Sequence, residues 1–444
     1  MILKTNNKSV AGELILFSLP LIMSGILQQL YSWADAFIVG HWEGELQLGA
    51  IGATGSISIL LINTILGFTL GLSIMAAQNY GRGDTDRIRR ILSCFLPVMC
   101  VIYLALTALC VCFTGPILKF MDTPAELFGY AVDYLRIVLL GIPFLAVYNL
   151  FAAILRAVGN TRVAFYSVLI SSGLNVIFDI LFVAILPYGV AGAAFATVIS
   201  QIAMTIFTVV YSALRYPYLM PHRGESLFDG PVLREGAHFS IPPTIQNSVT
   251  AFGNLILQNF MNGFGAATVL AITTAYRVDS IMLLPVLNLG AAISSMVARS
   301  KGAGDQERIR KYFKSGMVMM ILVSAVLALA MFLFGAFFVG IFGVTGEALE
   351  MGKSFFRDLS IFYTFFGIAT VLRSVLEGLG DITCCSIIGV VVLGLRIMLS
   401  YILKPICGGR TIAFAEGIAW IAMLGLFALR ILWQHRRASA RTEG

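Results

Sequence analysis

Long apolar runs alternate with short polar breaks along almost the whole chain. Runs such as ILLINTILGFTLGLSIMAA (59–77) and VMMILVSAVLALAMFLFGAFFVGIF (318–342) contain no charge at all. A helix needs about 20 apolar residues to cross the hydrocarbon core, and the strict alternation of a β-barrel strand is absent. With Gly, Pro and charge clusters taken as boundaries, the pattern predicts about twelve spans. The first six cover about 14–39, 51–79, 90–113, 128–155, 162–186 and 189–215. The second six cover about 237–262, 267–298, 311–342, 354–378, 384–403 and 411–433. The expected fold is an all-α polytopic membrane protein.

The polar breaks repeat. GRGDTDRIRR begins at Gly81 and GAGDQERIRK at Gly302, a shift of 221 positions. At the same shift Glu126 meets Glu347, Tyr134-Leu135-Arg136 meets Phe355-Phe356-Arg357, and Arg156 to Asn160 meets Glu377 to Asp381. At 222, Ser18-Leu19-Pro20 meets Ser240-Ile241-Pro242. Several anchors on one diagonal imply an internal duplication. Six spans per half is an even number, so both halves enter the membrane in the same orientation. They form two six-helix lobes related by a parallel pseudo-two-fold axis along the membrane normal. The expected domains are an N-terminal lobe (1–215), a linker (216–236) and a C-terminal lobe (237–444), the polar linker passage being RYPYLMPHRGESLFDGPVLREG (215–236). The twin charged passages are hairpins joining the second and third helices of each lobe. Asp84 and Asp305 are placed to cap the helix that follows. Their first reading is as orientation signals, their second as a gate latch.

Composition narrows the class. The chain is 58% hydrophobic and 12% charged, with a mean hydropathy of +0.89, against about 25% charge in a soluble domain. The net charge of +7 comes from Lys and Arg concentrated on one face of the predicted bundle, the positive-inside pattern. That face is expected to be cytoplasmic, with both termini on it, in the inner membrane. Its basic rim suits anionic lipid headgroups, and no nucleic-acid partner is needed. The start, MILKTNNKSVAGE, lacks the features of a cleavable signal. The cysteines at 94, 100, 110, 112, 384, 385 and 407 form no CxxC and nearly all sit in apolar runs. They are expected to pack as small hydrophobes, with no metal or redox cofactor. Both lobes lie on one chain, which is read as a monomer.

Charges inside the spans carry the chemistry. Asp35 lies in LYSWADAFIVG and Asp179 in LNVIFDILFVAILPYG, each near the end of its span. At 1.5 Å per residue both carboxylates should lie about 8–12 Å inside the same membrane edge. Thr197 reaches a similar depth from the sixth span, and Asn175 sits one turn from Asp179 on the same face. An acid at membrane depth costs at least about 2.5–3.5 kcal/mol on insertion scales, which makes it a functional candidate. Burial and a neighbouring carboxylate both favour a bound proton.

The twelve spans, the hairpin QNYGRGDTDRIRR (78–90), the loop RAVGNTR (156–162) and AYRVDS (275–280) together resemble the multidrug and toxic compound extrusion (MATE) family over essentially the whole chain. Within it the sequence looks like the DinF-like branch. That resemblance implies a cation-coupling cluster of Asp35, Asp179, Asn175 and Thr197, with Tyr31 and Tyr134 at the site. It also implies that Pro20 marks where the first helix bends on protonation, and a proline does permit such a kink. The NorM-like branch carries acids in the seventh and tenth spans, whereas TIQNSVTAFGNLILQ (244–258) and IFYTFFGIATVLRSV (361–375) hold none. Glu377 and Glu416 fall near helix ends and are read as interfacial. Arg277 and Asp279, two positions apart, do not share a helix face. The acid pair is therefore expected in the N-terminal lobe alone.

The implied activity is secondary active export by alternating access. Inward H+ or Na+ would drive out small lipophilic or cationic compounds, met by Phe-, Met- and acid-bearing walls. Asp35, Asn175, Asp179 and Thr197 could equally hold Na+ through four oxygens. No GxxxxGK[ST] loop is present, which argues against ATP drive. A lipid-linked saccharide flippase of the same superfamily is an alternative, but it would need cationic residues in the cavity, where only Arg396 stands mid-helix. An intramembrane enzyme is a remote alternative, since His41, His222, His238 and His435 all lie at loops or helix ends. A passive channel lacks a filter-like sequence.

Overall fold

The computed structural model describes residues 9–186, 188–222 and 227–442. Parts of the expected linker (223–226) and of the leading polar segment (1–8) lie outside the described residues. The described residues form α1 (Val10–Trp42), α2 (Glu45–Gly81), α3 (Thr85–Cys112), the short α4 (Thr114–Phe120), α5 (Ala125–Leu139), α6 (Ile142–Ala157), α7 (Arg162–Asp179) and α8 (Gly189–Arg215). Then come α9 (Gly230–Asn262), α10 (Ala266–Met282), α11 (Leu284–Gly302), α12 (Gln306–Gly340), α13 (Gly346–Ser360), α14 (Tyr363–Gly378), α15 (Ile382–Cys407) and α16 (Thr411–Thr442). Three pairs, α5/α6, α10/α11 and α13/α14, are single spans broken in the middle, the last bent by 50°. Pro143 and Pro285 stand in the first turns of α6 and α11, where a missing N–H removes a bond to the preceding turn and ends the helix before it.

Counted with the broken pairs joined, the long helices make twelve spans in two sets of six. This is the expected multi-pass all-α architecture. Among the described residues nine stretches, or ten with the bent pair, are long and apolar enough to cross a membrane. One of the nine joins α15 to α16. The helix outside that count is α9, whose Gln246, Asn247, Ser248, Asn254 and Gln258 dilute its apolar surface. Asp84 and Asp305 cap α3 and α12 as expected, each accepting from the backbone N–H three residues on, at 2.8 Å.

The chain forms two compact units. The N-terminal unit is Leu19–Thr244; the C-terminal unit is Ile245–Gly444 together with the start of α1 up to Ser18. In the N-terminal unit α2 packs on α5 and α6, and α7 on α8. The head of α9 also packs there, backbone against backbone on α2. A methyl group added at Gly71 would come within 2.2 Å of the Phe239 carbonyl oxygen, and one at Gly67 within 2.6 Å of the Pro243 carbonyl oxygen. Phe239 offers the carbonyl that Pro243, lacking an N–H, cannot bond. Gly71→Ala should therefore lower stability by about 1–3 kcal/mol through overpacking, read as an earlier thermal transition in detergent. The core of the C-terminal unit gathers Phe356, Tyr363, Leu372, Trp420 and Phe427 around α10, α13, α14 and α16.

Candidate functional site

Along one face of α7 stand Ser172, Asn175 and Asp179, spaced three and four residues apart so that they form a single stripe. All are buried: Ser172 is 8%, Asn175 1% and Asp179 0% exposed. Such a stripe of polar groups in an apolar helix is costly unless something answers it. Here the protein does not: the Ser172 hydroxyl, both polar atoms of the Asn175 amide and both Asp179 oxygens have no hydrogen-bond partner. A buried polar group left unsatisfied costs about 1–3 kcal/mol.

Asp35 on α1 meets the end of this stripe. Its carboxyl is near enough to that of Asp179 for the two to interact, while its Oδ1 is shielded and receives no protein donor. Asp35 is half-buried, and Asp179 is the more enclosed member of the pair by accessible surface. Two interacting carboxylates bring no hydrogen of their own and repel strongly at low dielectric. The arrangement is satisfied by a shared proton or by a cation. The surroundings are apolar, with Ile38, Val39, Val138, Val183, Val190, Ala193 and Ala194 packed together beside Tyr134. Tyr31, one turn before Asp35, and the buried Tyr134 both lie within electrostatic reach of the acids.

Local backbone shapes the site. At Asp179 the α-helix gives way to a π turn, Ile180–Ile185, an irregularity that often accompanies function. The next helix closes on that turn at Gly192, where a methyl group would stand 2.9 Å from the Phe182 carbonyl oxygen. Thr197 on α8 donates its hydroxyl to the Ala193 carbonyl at 3.1 Å and keeps its lone pairs. Gln201, one turn farther on the same face of α8, fills the space beside Gly141, and its side-chain carbonyl oxygen is buried without a partner. Pro20 interrupts α1 next to the Ser18/Leu19 boundary between the compact units. Ser172 and Gln201 are common polar residues that nothing in the local sequence marks. Only their spacing with Asn175 and Thr197 could have suggested them.

The donor set suits a hard cation, since carboxylate, amide and hydroxyl oxygens are what such ions take. Among the described residues no group of three or more His, Cys, Asp or Glu is arranged to hold a metal.

The C-terminal unit requires a correction. Glu416 is not interfacial but 6% exposed. It accepts from Arg396 at 2.9 Å and from the Tyr276 hydroxyl at 3.1 Å, and Arg396 also reaches Tyr276 at 2.9 Å. Asp279 is buried and accepts from the Tyr363 hydroxyl, while Arg277 is exposed. Glu377, also read as interfacial, is 7% exposed and bound to Arg373 at 2.7 Å. Acids are thus hidden in both units, against the expectation of one lobe alone. The difference lies in their partners: Glu416 has a guanidinium, and Asp35 and Asp179 have only each other. Arg396, the mid-helix cation a flippase would use, is already engaged.

A family model described as MatE matches residues 20–181 and 242–402. The chain is 25% identical over 374 residues to the probable multidrug resistance protein YpnP of Bacillus subtilis, covering 84% of this chain and 83% of that one. It is also 25% identical over 385 residues to the probable multidrug resistance protein NorM of Thermotoga maritima, covering 84% and 81%. Among solved structures, a MATE protein in complex with MaL6 superimposes with a TM-score of 0.90 at 20% identity, over 98% of each chain.

Proposed function

The chain belongs to the MatE family, whose members are transporters rather than enzymes, and from that membership we propose that it exports small lipophilic or cationic compounds in exchange for an inward-moving cation. The relatives named for multidrug resistance support the substrate class. The distribution of Lys and Arg supports a cell-membrane location with both termini cytoplasmic.

The observation that carries the reading is the juxtaposition of Asp35 and Asp179, with no protein donor to Asp35 Oδ1 or to either Asp179 oxygen. A pair that must hold a proton or Na+ when closed, with Asp35 only half-buried, is suited to load and release an ion. Asn175 and Thr197 supply further oxygens, and Tyr31 and Tyr134 form the aromatic side of the site. Loading changes the charge on α1, and Pro20 gives that helix a place to respond. Substrate and ion then compete for alternating states of the N-terminal unit, which is the energetic requirement for exchange.

Proteoliposomes loaded with a lipophilic cationic dye test it. A pH gradient or a Na+ gradient, applied singly, should accelerate dye movement against the ion flow. A dye flux equal under both gradients and under none would remove the exchange mechanism.

A further inference from the structure

The two charged passages are alike in sequence but not in how their cations are answered. In the N-terminal unit Arg89 pairs with Asp86 at 2.9 Å and Arg90 faces Asp229 at 3.8 Å, while Ser93, one turn beyond Arg89, is buried. A shift of 221 carries Arg89, Arg90 and Ser93 to Arg310, Lys311 and Lys314. There Glu307, the counterpart of Asp86, binds Lys311 at 2.6 Å instead. Arg310 and Lys314 are both exposed, and among the described residues neither forms an ion pair. They stand one turn apart on α12, close enough to repel each other. One copy of the passage has its charges neutralised by the protein; the other leaves two cations open.

Below these cations the same face of α12 turns apolar. Val318, Ile321, Ala325, Leu329 and Phe332 follow Lys314 at steps of three and four, which keeps them on one side of the helix. All five are exposed. From Lys314 to Phe332 the helix rises about 27 Å, close to the hydrocarbon thickness of about 30 Å. Lys314 therefore stands at one edge of the hydrocarbon and Arg310 one turn outside it, at headgroup depth. Their apolar stems can lie along the face while the charged ends turn to the boundary. A guanidinium and an ammonium so placed suit a phosphate, the first through paired N–H donors and the second as a point charge.

We propose that Arg310 and Lys314 hold the phosphate of an anionic phospholipid whose acyl chains lie along the Val318–Ile321–Ala325 face of α12. A zwitterionic lipid fits less well, because its choline or ethanolamine brings a further cation to a place that already has two. General attraction to a basic rim would be shared by every exposed Lys and Arg; here two of them carry the preference. A lipid bound in this way requires a membrane around α12 and nothing of the exporter reading.

Native mass spectrometry of the purified full chain, equilibrated in detergent with equal amounts of dioleoylphosphatidylglycerol and dioleoylphosphatidylcholine, decides it. Wild type should retain the phosphatidylglycerol in preference. Arg310→Ala/Lys314→Ala should bind it about 30-fold more weakly, the summed pull of two cations. Arg310→Lys/Lys314→Arg should keep the preference, and so should Arg436→Ala, which removes an exposed cation at the end of α16. If the alanine pair does not fold, Arg310→Gln/Lys314→Gln reads the same loss. Inorganic phosphate should displace no more lipid than chloride at the same ionic strength, since it cannot use the apolar face. Equal retention of the two lipids by wild type overturns the proposal. So does a loss in Arg436→Ala as large as in the double variant, or release by phosphate beyond that by chloride.

Discussion

Asp179→Asn should reduce gradient-driven export about 5- to 150-fold, the span of a coupling energy of about 1–3 kcal/mol. The carboxamide keeps the shape and can donate to Asp35, so the fold and the packing around α7 should survive. What is lost is the second negative charge, and with it the need for a proton or cation between the two groups. Asp35→Asn should act in the same direction. Asp35 is only half-buried, so its loss should also alter how readily ions exchange. The measurement is initial dye flux in vesicles under an imposed gradient, normalised to reconstituted protein. Dye should still bind at equilibrium, so the loss is read in flux.

Arg396→Met should be the most damaging change to stability. It removes the guanidinium bound to Glu416 and leaves that carboxylate and nearby Asp279 buried with the hydroxyls of Tyr276 and Tyr363. Breaking a buried ion pair from one side costs about 3–5 kcal/mol. Removing both charges, as in Arg396→Met/Glu416→Leu, should recover much of the loss, since no uncompensated charge then stays inside. Thermal unfolding in detergent reads both. A single variant as stable as wild type would show that the pair is solvated in the folded protein.

The sequence makes the spans legible because length and apolarity are local properties. Even α9, polar for a membrane helix, is bounded correctly on its far side at Asn262 by the Gly263 and Gly265 that follow. Asp35, Asn175 and Asp179 are legible for the same reason: a charge or amide in an apolar run stands out without knowledge of its neighbours. Partners are not legible. Glu416 lies five residues into α16, which by position alone suggests an interface, yet Arg396 and Tyr276 come from two other helices to enclose it. The π turn after Asp179 has no composition that marks it. The pairing of Glu13 with Arg308 joins residues 295 positions apart.

The central claim is that Asp35 and Asp179 together hold one exchangeable ion. Its most direct test is ion release from purified protein in weakly buffered detergent solution when a lipophilic cationic dye is added, followed with pH and Na+ electrodes. Wild type should release H+ or Na+ in proportion to dye bound, and Asp179→Asn should bind dye with no such release. Equal release from the two proteins would contradict the claim and move the coupling ion to another site.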